Sequence, residues 1–131
     1  MEKTFGDFTN LCKKSMELDP FVKERDVKGY SEEMQNEIQE LIEAIQNKDI
    51  PNIKEELGDV LLDWIHTALL AEKRYGFSMK EVIEDVKEKL SRRKPYIEEN
   101  RKVTMKEALD TWKEVKKLEK IKKELPEKSD S

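Results

Sequence analysis

Apolar side chains return at helical intervals along most of the chain. Met34, Ile38, Leu41, Ile42 and Ile45 share one face, which predicts a core stripe on a helix. Ser31 stands where an N-cap would, with Glu32 and Glu33 in the first turn, so that helix is predicted to follow Gly29-Tyr30. Asn47 to Asn52, containing Pro51, reads as the turn into a second helix reaching Tyr75-Gly76. Ser78-Met79-Lys80-Glu81 is a capping box for a third, whose apolar face is Met79, Val82, Ile83, Val86 and Leu90 and which Pro95 stops. Thr104-Met105-Lys106-Glu107 opens a fourth, with Ala108, Trp112, Val115, Leu118 and Ile121 on one side. Phe5, Phe8, Leu11, Met16, Leu18 and Phe21 suit a further helix before Ser31. Strand alternation is missing. The predicted fold is therefore all-α, an antiparallel bundle of four to five helices in one domain over residues 1–124, with residues 125–131 as a disordered tail.

The second helix carries an unusual pattern. In E-E-L-G-D-V-L-L-D-W-I-H, from Glu55 to His66, and the Thr67 that follows it, the side chains of Glu56, Asp59, Asp63, His66 and Thr67 fall within an arc of roughly 100 degrees. Apolar residues cover most of the remainder, so the helix shows a polar stripe on an apolar background, the reverse of a surface helix. A stripe facing water is the simple reading, but no Lys or Arg occurs from Glu56 to Ala71 in a chain otherwise rich in both. Acids clustered without countercharge repel one another and gain from a cation.

The preceding helix supplies Glu37 and Glu40, one turn apart. Two consecutive helices joined by a short turn run antiparallel, so E-x-x-E and E-x-x-D can face each other across the turn. Four carboxylates offer hard oxygen ligands suited to Mg²⁺, with Mn²⁺ as its substitute. A di-iron bundle needs paired Glu-x-x-His motifs, which the single His66 cannot supply. His66 reads as a hydrogen-bonded residue beside the ligands. Glu33 lies between Glu37 and Glu40 on the helical wheel, and spacing does not rank Glu33 against Glu40.

The third helix ends K-L-S-R-R-K-P-Y, where Lys89 and Arg93 share an edge of the apolar face and Arg92 turns further out. Such an end complements the helix dipole, and it also supplies donors for phosphate. With 26 basic residues against 30 acidic and a net charge of -4, the overall balance disfavours nucleic acid as a partner. The one cysteine, Cys12, excludes an internal disulfide and a cysteine-rich zinc site, and no apolar run is long enough for a membrane. A soluble, cytoplasmic protein is expected.

N-E-I-Q-E at Asn36 to Glu40, E-E-L-G-D-V-L-L at Glu55 to Leu62 and K-L-S-R-R-K-P at Lys89 to Pro95 together make the chain resemble the MazG-like nucleoside triphosphate pyrophosphohydrolases, an all-alpha group. The resemblance runs from about Leu18 to Trp112. It implies cleavage of NTP or dNTP to the monophosphate and pyrophosphate, with magnesium on Glu37, Glu40, Glu56 and Asp59 and with Lys89, Arg92 and Arg93 near the phosphates. It thereby favours Glu40 over Glu33. Glu37 or Glu40 is the expected catalytic base, and Asp63 is expected to add a ligand or position water. The resemblance also implies a homo-oligomer, a homodimer or homotetramer, consistent with a last helix whose apolar strip is too narrow to stand alone. Asn36 replaces an acid frequent in the family, and Lys94 and Tyr96 flank the proline where histidines are common. Two other functions share the pattern: phosphoribosyl-ATP pyrophosphohydrolase, and a non-catalytic oligomeric regulator of the same fold.

Overall fold

The structure, a computed structural model, describes residues 1–125. The tail expected at 125–131 lies outside them apart from Leu125. Helices α1 (Glu2–Leu18), α2 (Pro20–Glu24), α3 (Val27–Gln46), α4 (Ile50–Tyr75), α5 (Met79–Arg93), α6 (Pro95–Glu98) and α7 (Met105–Glu124) account for all regular structure among the described residues. The chain forms two compact units, Met1–Met79 and a second beginning at Lys80. No helix among the described residues is long and apolar enough to cross a membrane.

Local chemistry sets most helix ends. Asp19 separates α1 from α2, and its Oδ1 accepts from the Phe21 N–H at 3.0 Å, with Pro20 in the first turn where no N–H is needed. Helix α3 starts earlier than Ser31. Asp26 is its N-cap, accepting from Gly29 N at 2.7 Å, while the Ser31 hydroxyl donates to the Val27 carbonyl from inside the helix. A cap-competent aspartate three residues before a glycine wins because glycine is tolerated in a first turn that is already capped. The extra turn carries Tyr30 into the interior. At the other end of α4, Gly76 adopts φ 84, the left-handed stop for which a residue without Cβ is suited. Thr104 caps α7 as expected, accepting from Glu107 N at 3.2 Å.

In the first unit the core is built by Cys12 and Met16 of α1, Val22 of α2, Tyr30 of α3, and Ile65 and Leu69 of α4. Phe5, Phe8, Leu62, Trp64, Leu70 and Met79 pack against it. The α3 stripe departs from expectation: Ile38, Ile42 and Ile45 are 41%, 42% and 53% exposed, and Leu57 and Leu61 of α4 are likewise open. What α3 and α4 press together along these turns is polar, which turns their aliphatic side chains outward. In the second unit Val86, Leu90, Trp112, Leu118 and Ile121 are also exposed.

Candidate metal centre

The α3–α4 turn fixes which residues meet. Asp49 N donates to the Ala44 carbonyl at 3.0 Å, Lys48 takes φ 53, and the Asp49 side chain caps α4 through Asn52 N. Back from that turn, Glu40 and Glu37 of α3 meet Glu56 and Asp59 of α4, Glu33 acts on Asp63, and Tyr30 lies against His66. The far end is pinned by the Tyr30 and His66 rings, whose centroids are 5.2 Å apart.

Within this ladder, carboxyl oxygens of Glu37, Glu56 and Asp59 lie within 4.8 Å of one another. Glu56 is only 7% exposed, and Glu37 and Asp59 are half-buried. One buried oxygen each on Glu37 and Glu56 has no hydrogen-bond partner. A hydrogen bond to Glu56, burial, and the neighbouring Glu40 and Asp59 push Glu37 up to about 8. On Glu56 the bond from Glu37 acts downward, but burial and the charges of Glu40 and Asp59 outweigh it, and the net direction is up. Glu40 itself is exposed and stands outside the close triad, acting on Glu37 through a hydrogen bond and through its charge. Glu33 is drawn instead toward Asp63, whose pKa it raises.

These acids fit a divalent cation. The donor set is all carboxylate oxygen, two of its buried atoms are unpartnered, and no Lys or Arg occurs from Glu56 to Ala71. A proton held between Glu37 and Glu56 lowers the repulsion, in keeping with the raised pKa of both.

One turn beyond the triad the stripe continues inward. Asp63 is buried with its Oδ2 unpartnered, and its pKa is raised by burial first and by Glu33 next, against the opposing charge of Arg25. His66 lies 3.1 Å from the Ser15 hydroxyl through Nε2, and burial holds its pKa down. Arg25 sits over the Tyr30 ring at 5.2 Å. Ser15, Arg25 and Tyr30 were not legible as site neighbours, since Ser15 is 51 residues from His66 and no spacing rule connects them.

In the second unit Arg92 and Arg93 are not free donors. Both bond to Glu119 of α7, at 2.8 Å for Arg92 and 3.2 Å for Arg93, and Arg92 also reaches Glu88. Arg92 is the more exposed of the two, 42% against 23%, as the helical wheel predicts. Lys89 is exposed and forms no ion pair among the described residues.

The proton on the triad has a measurable consequence. Folded chain keeps it on Glu37 up to about pH 8, whereas the unfolded chain releases it near the ordinary 4.5. Between those values the folded state binds more protons, so stability falls as pH rises. With EDTA present, the thermal midpoint should drop from about pH 5 to about pH 8, and Glu37→Gln should remove most of that slope while raising the midpoint at the upper end by a few degrees. A slope unchanged in Glu37→Gln would contradict the shared proton.

The profile of the MazG nucleotide pyrophosphohydrolase domain matches residues 25–98, which include α3, α4, the triad and the α5 arginines. The chain is 35% identical over 102 residues to the Bacillus subtilis (strain 168) protein YabN, covering 77% of this chain and 21% of that one. It is 48% identical over 61 residues to the nucleoside triphosphate pyrophosphohydrolase/pyrophosphatase MazG of Thermotoga maritima, covering 47% of this chain and 24% of that one. It thus spans under a quarter of the length of either relative. A crystal structure of a mazG-related protein from Thermotoga maritima superposes with a TM-score of 0.80 at 32% identity, covering 82% of this chain and 95% of that one. With an all-helical fold and a facing E-x-x-E and E-x-x-D in the matched segment, this chain belongs to the MazG nucleotide pyrophosphohydrolase domain family.

Proposed function

We propose that the protein is a Mg²⁺-dependent nucleotide pyrophosphohydrolase, cleaving an NTP or dNTP to the monophosphate and pyrophosphate. The observation that carries this reading is the partly buried triad of Glu37, Glu56 and Asp59, with an unpartnered buried oxygen on each of Glu37 and Glu56. A bound divalent cation supplies charge neutralisation of the triphosphate and lowers the pKa of an attacking water. Glu37, Glu56 and Asp59 hold it, with Glu40 joining from the exposed rim. Glu37 or Glu40 would orient that water and accept its proton. Asp63 adds a ligand or a second hold on the water. Lys89, Arg92 and Arg93 bind phosphate oxygens and offset the charge that grows on the pyrophosphate leaving group. The family membership supports the reaction class, and a cytoplasmic setting suits the single buried thiol, Cys12.

The test is pyrophosphate release from a panel of NTPs and dNTPs with Mg²⁺, using phosphoribosyl-ATP as the competing substrate. Glu56→Gln and Asp59→Asn should each lose turnover by on the order of 1,000-fold while keeping helical circular dichroism. Full activity in either purified variant would remove the metal site from the reaction. Turnover of phosphoribosyl-ATP alone would leave the site and replace the substrate, and a wild type inert toward the whole panel would favour the non-catalytic regulator.

We also propose a homodimer or homotetramer. Ile38, Ile42 and Ile45 of α3 and Leu57 and Leu61 of α4 form open aliphatic surface on the outer sides of the helices that carry the acids. A second copy covering it would recover the burial that the acidic seam displaces. The unfolding midpoint should then rise with protein concentration. Light scattering that gives the 15.5 kDa monomer, folded and active at micromolar concentration, would rule this out.

A further inference from the structure

The two arginines assigned to substrate phosphate are gripped by one carboxylate. Glu119 accepts from Arg93 through Nε at 3.3 Å and Nη2 at 3.2 Å, and from Arg92 through Nε at 2.8 Å. The Arg93 contact is side-on and bidentate, the geometry that fixes a planar guanidinium in orientation as well as in place. It leaves the Nη1 group of Arg93 unengaged among the described residues, and Glu88 and Glu119 together leave Nη2 of Arg92 in the same condition. Glu119 and Arg93 are 24% and 23% exposed, so solvent screens this pair less than the helix-surface pairs such as Lys3–Asp7. The hydrogen bonds from Arg93 and then Arg92 hold Glu119 down to about 2, so it is ionised throughout the neutral range. Glu119 lies on α7, which begins at Met105, after the family profile has ended at residue 98.

We propose that Glu119 is a positioning residue for the reaction: α7 holds the Arg92 and Arg93 guanidiniums in advance, with their remaining N–H groups turned to receive phosphate oxygens. This rests on the reading that those arginines meet the substrate. Adjacent guanidiniums repel each other and each has many rotamers; a single carboxylate between them offsets the repulsion and freezes the rotamers, while Glu88 separately pairs with Arg92. Ordering completed before substrate arrives is not charged against binding or the transition state. The same carboxylate acting as a rival to phosphate would have the opposite effect on rate, so direction decides between them.

The experiment is steady-state pyrophosphate release from the preferred nucleotide by the full chain and by Arg93→Ala, Glu119→Ala, Glu119→Gln and the double variant Glu119→Ala/Arg93→Ala. Circular dichroism and thermal midpoints identify the temperature at which each is folded. Glu119→Ala should lower kcat by on the order of tenfold with a smaller change in KM. Glu119→Gln, which keeps the shape and one acceptor oxygen, should recover part of the loss. In the Arg93→Ala background the further loss from Glu119→Ala should nearly vanish, because its main object is gone. Arg93→Ala with full activity would overturn the proposal together with the phosphate reading. Arg93→Ala impaired beside a fully active Glu119→Ala would overturn the positioning role alone. Faster turnover in Glu119→Ala, or losses that simply multiply in the double variant, would also overturn it, the first pointing to a competitor and the second to a mere staple between helices. Should Glu119→Ala fail to fold, Glu119→Gln decides: unchanged kcat and KM in that variant contradict the proposal, and a reduced kcat that disappears in the Arg93→Ala background supports it.

Discussion

Acid facing acid across the α3–α4 seam is the constraint on which the rest of the first unit depends. Glu37, Glu56 and Asp59 approach within 4.8 Å, and no Lys or Arg occurs from Glu56 to Ala71 to balance them. Like charges at that separation inside a protein repel strongly, and an unpaired buried charge is among the costliest features a fold can carry. The chain cannot relieve the repulsion by turning the acids to water, because the same helix face continues into buried Asp63 and His66 and the core built around Ile65. A proton or a cation entering the seam relieves that repulsion, and the carboxyl of Glu37 is accordingly pushed up to about 8 by its acidic neighbours and by burial.

The seam also reorders the apolar surface. Helices usually meet through aliphatic faces and leave acids outside. Here α3 and α4 meet through carboxylates along their turn-proximal half and leave isoleucines and leucines open. Toward Tyr30 and His66 the seam reverts to ring packing, and there α1 closes over it with Cys12, Met16 and the Ser15 contact to His66. One end of the helix pair is thus a conventional core that holds the register, and the other is a charged slot whose geometry depends on that register.

How much of this was legible follows from which contacts are local. The stripe Glu56, Asp59, Asp63 and His66 could be read because helical spacing and the missing Lys or Arg are both properties of one segment. Its encounter with Glu37 could be read because the turn at Asn47 to Asp49 is short and leaves only an antiparallel return. Spacing did not rank Glu33 against Glu40; the structure sets Glu33 by Asp63 and Glu40 at the rim of the triad, since neighbours on a wheel can lie at different heights along the seam. The start of α3 was misplaced because Ser31 and Asp26 are both competent caps, and the choice turned on burying Tyr30, a tertiary matter. Ile38, Ile42 and Ile45 read as core because periodicity identifies an apolar face without saying what covers it. Glu119 was invisible, being one of many acids on α7 and singled out only by its arginine partners.

If the seam of facing carboxylates holds a divalent cation, as proposed above, binding is measurable apart from turnover. Electron paramagnetic resonance of Mn²⁺ titrated into the nucleotide-free protein should show about one bound ion per chain, displaced by Mg²⁺, with affinity falling by more than about tenfold in Asp59→Asn and in Glu37→Gln and staying near wild type in Glu43→Gln, an exposed acid on α3. Equal Mn²⁺ affinity in all four proteins would contradict the account, because the facing carboxylates would then have no ion of their own to hold.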